Sequence, residues 1–143
     1  MVSQALKTLI IDYDKDFRRL CKNFLSADLD VSVTDCDESL ALEALQTDLP
    51  DVVIIGPNLK FQQRSQLVKL LGLRWPASQA LLLNDHPADA EAVNQLGASA
   101  VGIMACEDMA RFLVKAVKKI NKGEAWVPRK FVPGLVERLR AQM

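Results

Sequence analysis

Four short runs along the chain are apolar almost throughout: 8–11, 52–55, 80–83 and 100–103. Runs of this length suit strands covered on both faces, as in a parallel sheet. A fifth run alternates, with Val31 and Val33 set between Ser32 and Thr34, the pattern of a half-exposed edge strand. Helical patterns lie between them. Phe17, Leu20, Cys21, Phe24 and Leu25 recur at three and four behind a capping Asp14. Asp37 is placed to cap a second helix carrying Leu40, Ala41, Ala44 and Leu45, and Leu67, Leu70 and Leu71 mark a third. Pro87 fits the first turn of a fourth, which Gly97 ends. The fifth has the clearest stripe, Met109, Phe112, Leu113, Ala116, Val117 and Ile120, with acids at its start and lysines towards its end, the charge order a helix dipole favours. Gly123 is a natural stop.

Strand and helix alternate with connections of a few residues, which predicts right-handed crossovers and helices on both faces of one sheet. The edge character of the second strand favours the strand order 2-1-3-4-5. The expected fold is therefore α/β, a flavodoxin-like doubly wound five-stranded parallel sheet with five helices plus a C-terminal linker helix. Two Val-Pro pairs, 127–128 and 132–133, break the pattern of the tail, so a terminal helix is expected from near Pro133. We divide the chain into a domain of residues 1–122 and a linker with a short helix over 123–143.

The length of 143 residues fits one such domain, and half the residues are apolar. Lys plus Arg equals Asp plus Glu at 18 each, so this segment lacks the basic excess of a DNA binder. No apolar run reaches a membrane span and no signal-peptide core opens the chain, so the expected compartment is the cytoplasm. Three widely spaced cysteines and a single histidine give no zinc set, and they are expected to be reduced, mostly buried thiols. His86 beside Asp85 has no G-x-S-x-G elbow to serve, and no glycine-rich phosphate loop is present. No catalytic residue, metal or cofactor is expected. In a doubly wound sheet chemistry gathers beyond the carboxyl ends of the strands, where the first and third diverge. That points to 12–14, 56–58, 84–85 and 104–105.

Those residues carry a resemblance. Leu9-Ile10-Ile11-Asp12-Tyr13-Asp14, then Pro50-Asp51-Val52-Val53-Ile54-Ile55-Gly56, then Leu81-Leu82-Leu83-Asn84, then Gly97-Ala98 before the last strand, resemble a response-regulator receiver domain over residues 7–122. Gly123-Glu124-Ala125-Trp126-Val127-Pro128 is similar to the receiver-to-linker junction of LuxR/NarL-type transcriptional regulators. The resemblance implies a paired acid holding Mg²⁺, a phospho-acceptor aspartate, a hydroxyl residue, a switch aromatic and a lysine. In their places stand Asp12-Tyr13, Gly56, Asn84, Val101 and Met104, with Ala105 where a proline is usual. Acids and base are lost together, which predicts a pseudo-receiver. Asp12 and Asp14 remain as candidates for a residual cation.

The function expected from this is a phosphorylation-independent receiver-like signalling or regulatory domain. It would act through protein contacts as part of a two-component-type transcriptional regulator, any DNA-binding domain lying outside this segment. Partners are expected to be proteins, a homodimer included, with no specific DNA or membrane binding by this segment. The face formed by the helix after Pro87, the 100–103 strand and the helix from Met109 is the contact surface the resemblance implies; lysines of the helix from Met109 are expected to be a solvated face, the other reading being that they meet acids such as Asp89 and Glu91 of a partner. The alternative is a small-molecule sensor using the space beside Gly56 and Met104. A third possibility, a weakly active receiver with Asp51 or Asp14 as acceptor, has Asp51 at the wrong end of its strand.

Overall fold

A computed structural model describes residues 5–85, 95–96 and 100–142. Strands β1 (Leu6–Ile11), β2 (Val31–Cys36), β3 (Val52–Ile55), β4 (Gln79–Asn84) and β5 (Ala100–Ala105) form one parallel sheet in the order β2-β1-β3-β4-β5. The described α-helices are α1 (Lys15–Ser26), α2 (Ala41–Thr47), α3 (Phe61–Arg74), α4 (Met109–Asn121) and α5 (Val132–Ala141). The helix expected after Pro87, and with it His86, Asp89, Glu91 and Gly97, lies outside the described residues.

The apolar runs are explained by two cores, one on each face of the sheet. Leu9, Ile11, Val53, Ile55 and Leu82 point to one side, against Leu45 of α2 and Leu67 and Leu71 of α3. Ile10, Ile54, Leu81, Leu83 and Met104 point to the other, against Phe17, Cys21 and Leu25 of α1 and Leu113, Val117 and Ile120 of α4. Consecutive residues of a strand face opposite ways, so only a strand covered on both sides stays apolar at every position. The outer strand β2 buries its ends and exposes Ser32 and Thr34.

Local chemistry sets the boundaries. Asp14 caps α1, its carboxylate accepting from Asp16 N at 2.9 Å. Asp37 caps a 3₁₀ turn, Glu38–Leu40, which leads into α2. Gly123 follows α4 with φ at 91°, a left-handed conformation that costs glycine no Cβ clash.

The tail folds back on the sheet. Val101 has no partner across β4, because the register slips between Ala80 and Leu81. Its carbonyl instead accepts from Trp126 N at 3.1 Å, and Ile103 N donates to Trp126 O at 2.9 Å. Trp126 thus closes the outer edge of β5, a device that keeps an edge from pairing elsewhere. A Cβ on Gly102 would stand 2.7 Å from Ile120 Cδ1 and 3.4 Å from Trp126 Cβ, so glycine lets helix and tail approach the strand together. Phe131 is fully buried in the α2–α3 core, and α5 begins at Val132 with proline in its first turn.

Candidate functional site at the carboxyl end of the sheet

The β1–β3 register brings the two decisive residues together. Ile11 pairs with Ile55, and Gly56 N donates to Ile11 O at 2.9 Å, so Asp12 and Gly56 emerge side by side. Asp12 is wholly buried. One carboxylate oxygen accepts from Asp14 N at 2.7 Å and from the Asn58 side-chain amide at 3.1 Å. The other accepts from Asn58 N at 3.0 Å. Three donors on two oxygens compensate the burial of this charge.

The carboxylate lies over Gly56. A Cβ built on Gly56 would stand 1.9 Å from Asp12 Oδ2 and 2.6 Å from its Cγ. Any side chain at position 56 must therefore displace Asp12.

The remaining expected positions surround this carboxylate without sharing its chemistry. Tyr13 points outward, 62% exposed. Asp14 is occupied as the α1 cap. Asn84 ends β4, buried, with no partner for its amide nitrogen among the described residues. Met104 is fully buried in the α1–α4 core, and Val101 packs partly buried against the same cluster. Asp12 and Gly56 are thus in direct contact, Tyr13 faces away, and Met104 presents a thioether rather than a charge. No group of three acidic, histidine or cysteine side chains able to hold a metal occurs among the described residues.

Three neighbours have roles that the sequence pattern does not assign. Asn58 is the main clamp on Asp12, and its only signal is its position just past β3. Arg64 of α3 is buried and donates from Nη1 to Leu83 O at 2.9 Å. Nothing in an amphipathic pattern distinguishes such an arginine from a solvated one. Cys106, just past β5, has its thiol pushed up to about 12 by burial and by Asp85 close by. Burial, with Cys106 and Asp12 nearby, does the same for Cys21, whose Sγ lies 3.7 Å from Met109 Sδ. Neither is an activated thiol.

The architecture has close counterparts among solved structures. The two-component response regulator RcsB in complex with DNA superposes with a TM-score of 0.79 at 17% identity, over 93% of this chain and 68% of that one. The signal receiver domain of the putative response regulator NarL from Mycobacterium tuberculosis gives 0.75 at 22%, over 85% of this chain and all of that one.

The fold is that of a response-regulator receiver domain.

A LuxR-family response regulator from Aurantimonas sp. SI85-9A1 shares the receiver fold at 0.76 and 18% identity, over 95% of this chain and 98% of its own. Among curated proteins, the transcriptional regulatory protein DegU of Brevibacillus brevis is 26% identical over 137 residues, 94% of this chain. The chain spans 58% of that relative's length. No protein-family model matches the chain. No described helix is long and apolar enough to cross a membrane.

Proposed function

We propose that this chain is a receiver-like regulatory domain that signals without phosphorylation, through protein contacts that include self-association. The observation that carries the reading is the seat of Asp12: a buried carboxylate held by three N–H donors, lying where a side chain of residue 56 would go. Without a carboxylate at position 56 there is no acceptor for an acyl phosphate there. With Tyr13 exposed and no carboxylate at position 56, Asp12 and Asp14, each already accepting from N–H donors, offer fewer oxygens than Mg²⁺ prefers. Met104 offers no charge to a phosphoryl group. The kinship with DegU and the RcsB fold supports a place in a two-component-type transcriptional regulator, in which residues 123–143 serve as the linker.

Beryllofluoride with Mg²⁺ tests this directly. Amide spectra of the protein should be unchanged on addition, because no carboxylate at position 56 can bind the mimic. Shifts concentrated at residues 12–14, 56–58 and 104 would overturn the reading.

A further inference from the structure

The net charge of zero conceals a strong separation. No lysine or arginine stands between Lys22 and Lys60, and this stretch builds β2 and α2. Beyond Asp108 the balance reverses, along α4 and the tail. Because β2 and β5 are the two outer strands, the acidic flank and the basic flank lie at opposite edges of one sheet. The two meet where Lys118 of α4 pairs with Asp28 and Asp30 ahead of β2, at 2.7 and 3.9 Å, and within the acidic stretch Asp35 is held by Arg18 and Lys22 and Asp48 by Lys7.

Each flank also has an apolar centre. On the acidic side Leu40, 52% exposed, lines a groove of about 380 Å³ between β2 and α2. Glu43 lines it, Glu38 opens the 3₁₀ turn that leads into α2, and neither has an ion-pair partner among the described residues. On the basic side a groove of about 490 Å³ runs between α4 and the tail. Phe112 and Trp126, with ring centroids 6.0 Å apart, and Val127 and Pro128 line it. Asp108 and Glu124 on this side are engaged by Lys130 at 2.7 Å and Lys119 at 3.8 Å. Lys115 and Lys122 have no such partner among the described residues.

We propose that the acidic β2–α2 flank of one copy docks on the basic α4–tail flank of a second copy. Leu40 enters the aromatic groove, and Glu38 and Glu43 meet Lys115 and Lys122. The arrangement is head to tail. A two-fold contact through either flank would set like charges against each other, whereas unlike flanks attract and steer the encounter. This rests on the self-association in the functional reading and names its faces.

Sedimentation velocity on the full chain tests it, with two surface variants, Glu38→Lys/Glu43→Lys and Lys115→Glu/Lys122→Glu, checked for fold by circular dichroism. The wild type should associate with rising concentration, and high salt should weaken that association at least about tenfold. Each variant alone should lose association by at least about tenfold, and the equimolar mixture should regain it. Association indifferent to either reversal, or a mixture that stays apart, would overturn the choice of faces and leave the phosphorylation-independent reading intact. A wild type that remains monomeric at the highest concentrations would overturn the proposal together with self-association, and would not bear on the beryllofluoride result.

Discussion

Placing even one methyl group at position 56 should unseat Asp12. In Gly56→Ala the new Cβ starts 1.9 Å from Asp12 Oδ2 and 2.7 Å from Asp12 Cβ, so the carboxylate must rotate away or the strand ends must part. Rotation gives up hydrogen bonds from Asp14 N, Asn58 N and the Asn58 amide. Overpacking costs about 1–3 kcal/mol and a lost hydrogen bond to a charged group about 1.5–3 kcal/mol, so a total near 3–5 kcal/mol is expected. For a chain of this size that lowers Tm by about 10 °C or more. The cause is isolated by a double-mutant cycle. Asp12→Ala alone should cost about 1–3 kcal/mol, because buried N–H donors lose their acceptor. Once Asp12 is gone, Gly56→Ala should add little. Urea denaturation of the four proteins should therefore give a coupling of about 2 kcal/mol or more. Additive effects, or a Gly56→Ala protein as stable as the parent, would refute the placement of Asp12 over Gly56. The same geometry predicts that Gly56→Asp does not restore a phosphorylatable site.

Other consequences follow from the tail and the thiols. Phe131→Ala removes a fully buried ring and should destabilise the protein by about 3–5 kcal/mol in urea, whereas a tail that merely trails would tolerate it. Gly102→Ala should cost about 1–3 kcal/mol and shift tryptophan fluorescence, since its Cβ meets Ile120 and Leu81 and presses towards Trp126. Burial, the largest cause in each case, raises the Cys21 thiol to about 12 and the Cys36 thiol to about 11. The unfolded chain releases these protons near pH 9 while the folded chain keeps them, so their contribution to stability is full below that pH and falls as pH rises towards 11–12. Denaturation at pH 7 and pH 10 should show a decline that shrinks when Cys21 is replaced by alanine. Iodoacetamide at pH 8 should leave Cys21 and Cys36 unmodified until the protein is unfolded.

The fold was legible because burial on two faces leaves a direct trace. Val52–Ile55 is apolar at every position, Val31–Cys36 alternates, and these two facts place the strands at the centre and edge of the sheet. Asp14 and Gly123 announce their helix boundaries through capping and a left-handed φ. The place to look for a site was readable too, since strand ends converge in a doubly wound sheet. The arrangement of its residues was not. Asp12 reads as a surviving acid available to a cation, and only the β1–β3 register reveals that it fills the space above Gly56. Asn58 as a double donor, Arg64 as a buried cation and Trp126 as the closure of β5 depend on contacts between residues far apart in sequence. A local pattern of polar and apolar positions carries no record of them. The separation of charge is visible as a gap in lysine and arginine between positions 22 and 60, but its meaning depends on β2 and β5 being opposite edges.

Intact-mass measurement after incubation with acetyl phosphate and Mg²⁺ tests the central claim most directly. The protein should gain no phosphoryl mass, and its sedimentation profile should be the same with and without the donor. A stable phosphoryl adduct mapped to Asp12 or Asp14, accompanied by a change in oligomeric state, would contradict the account.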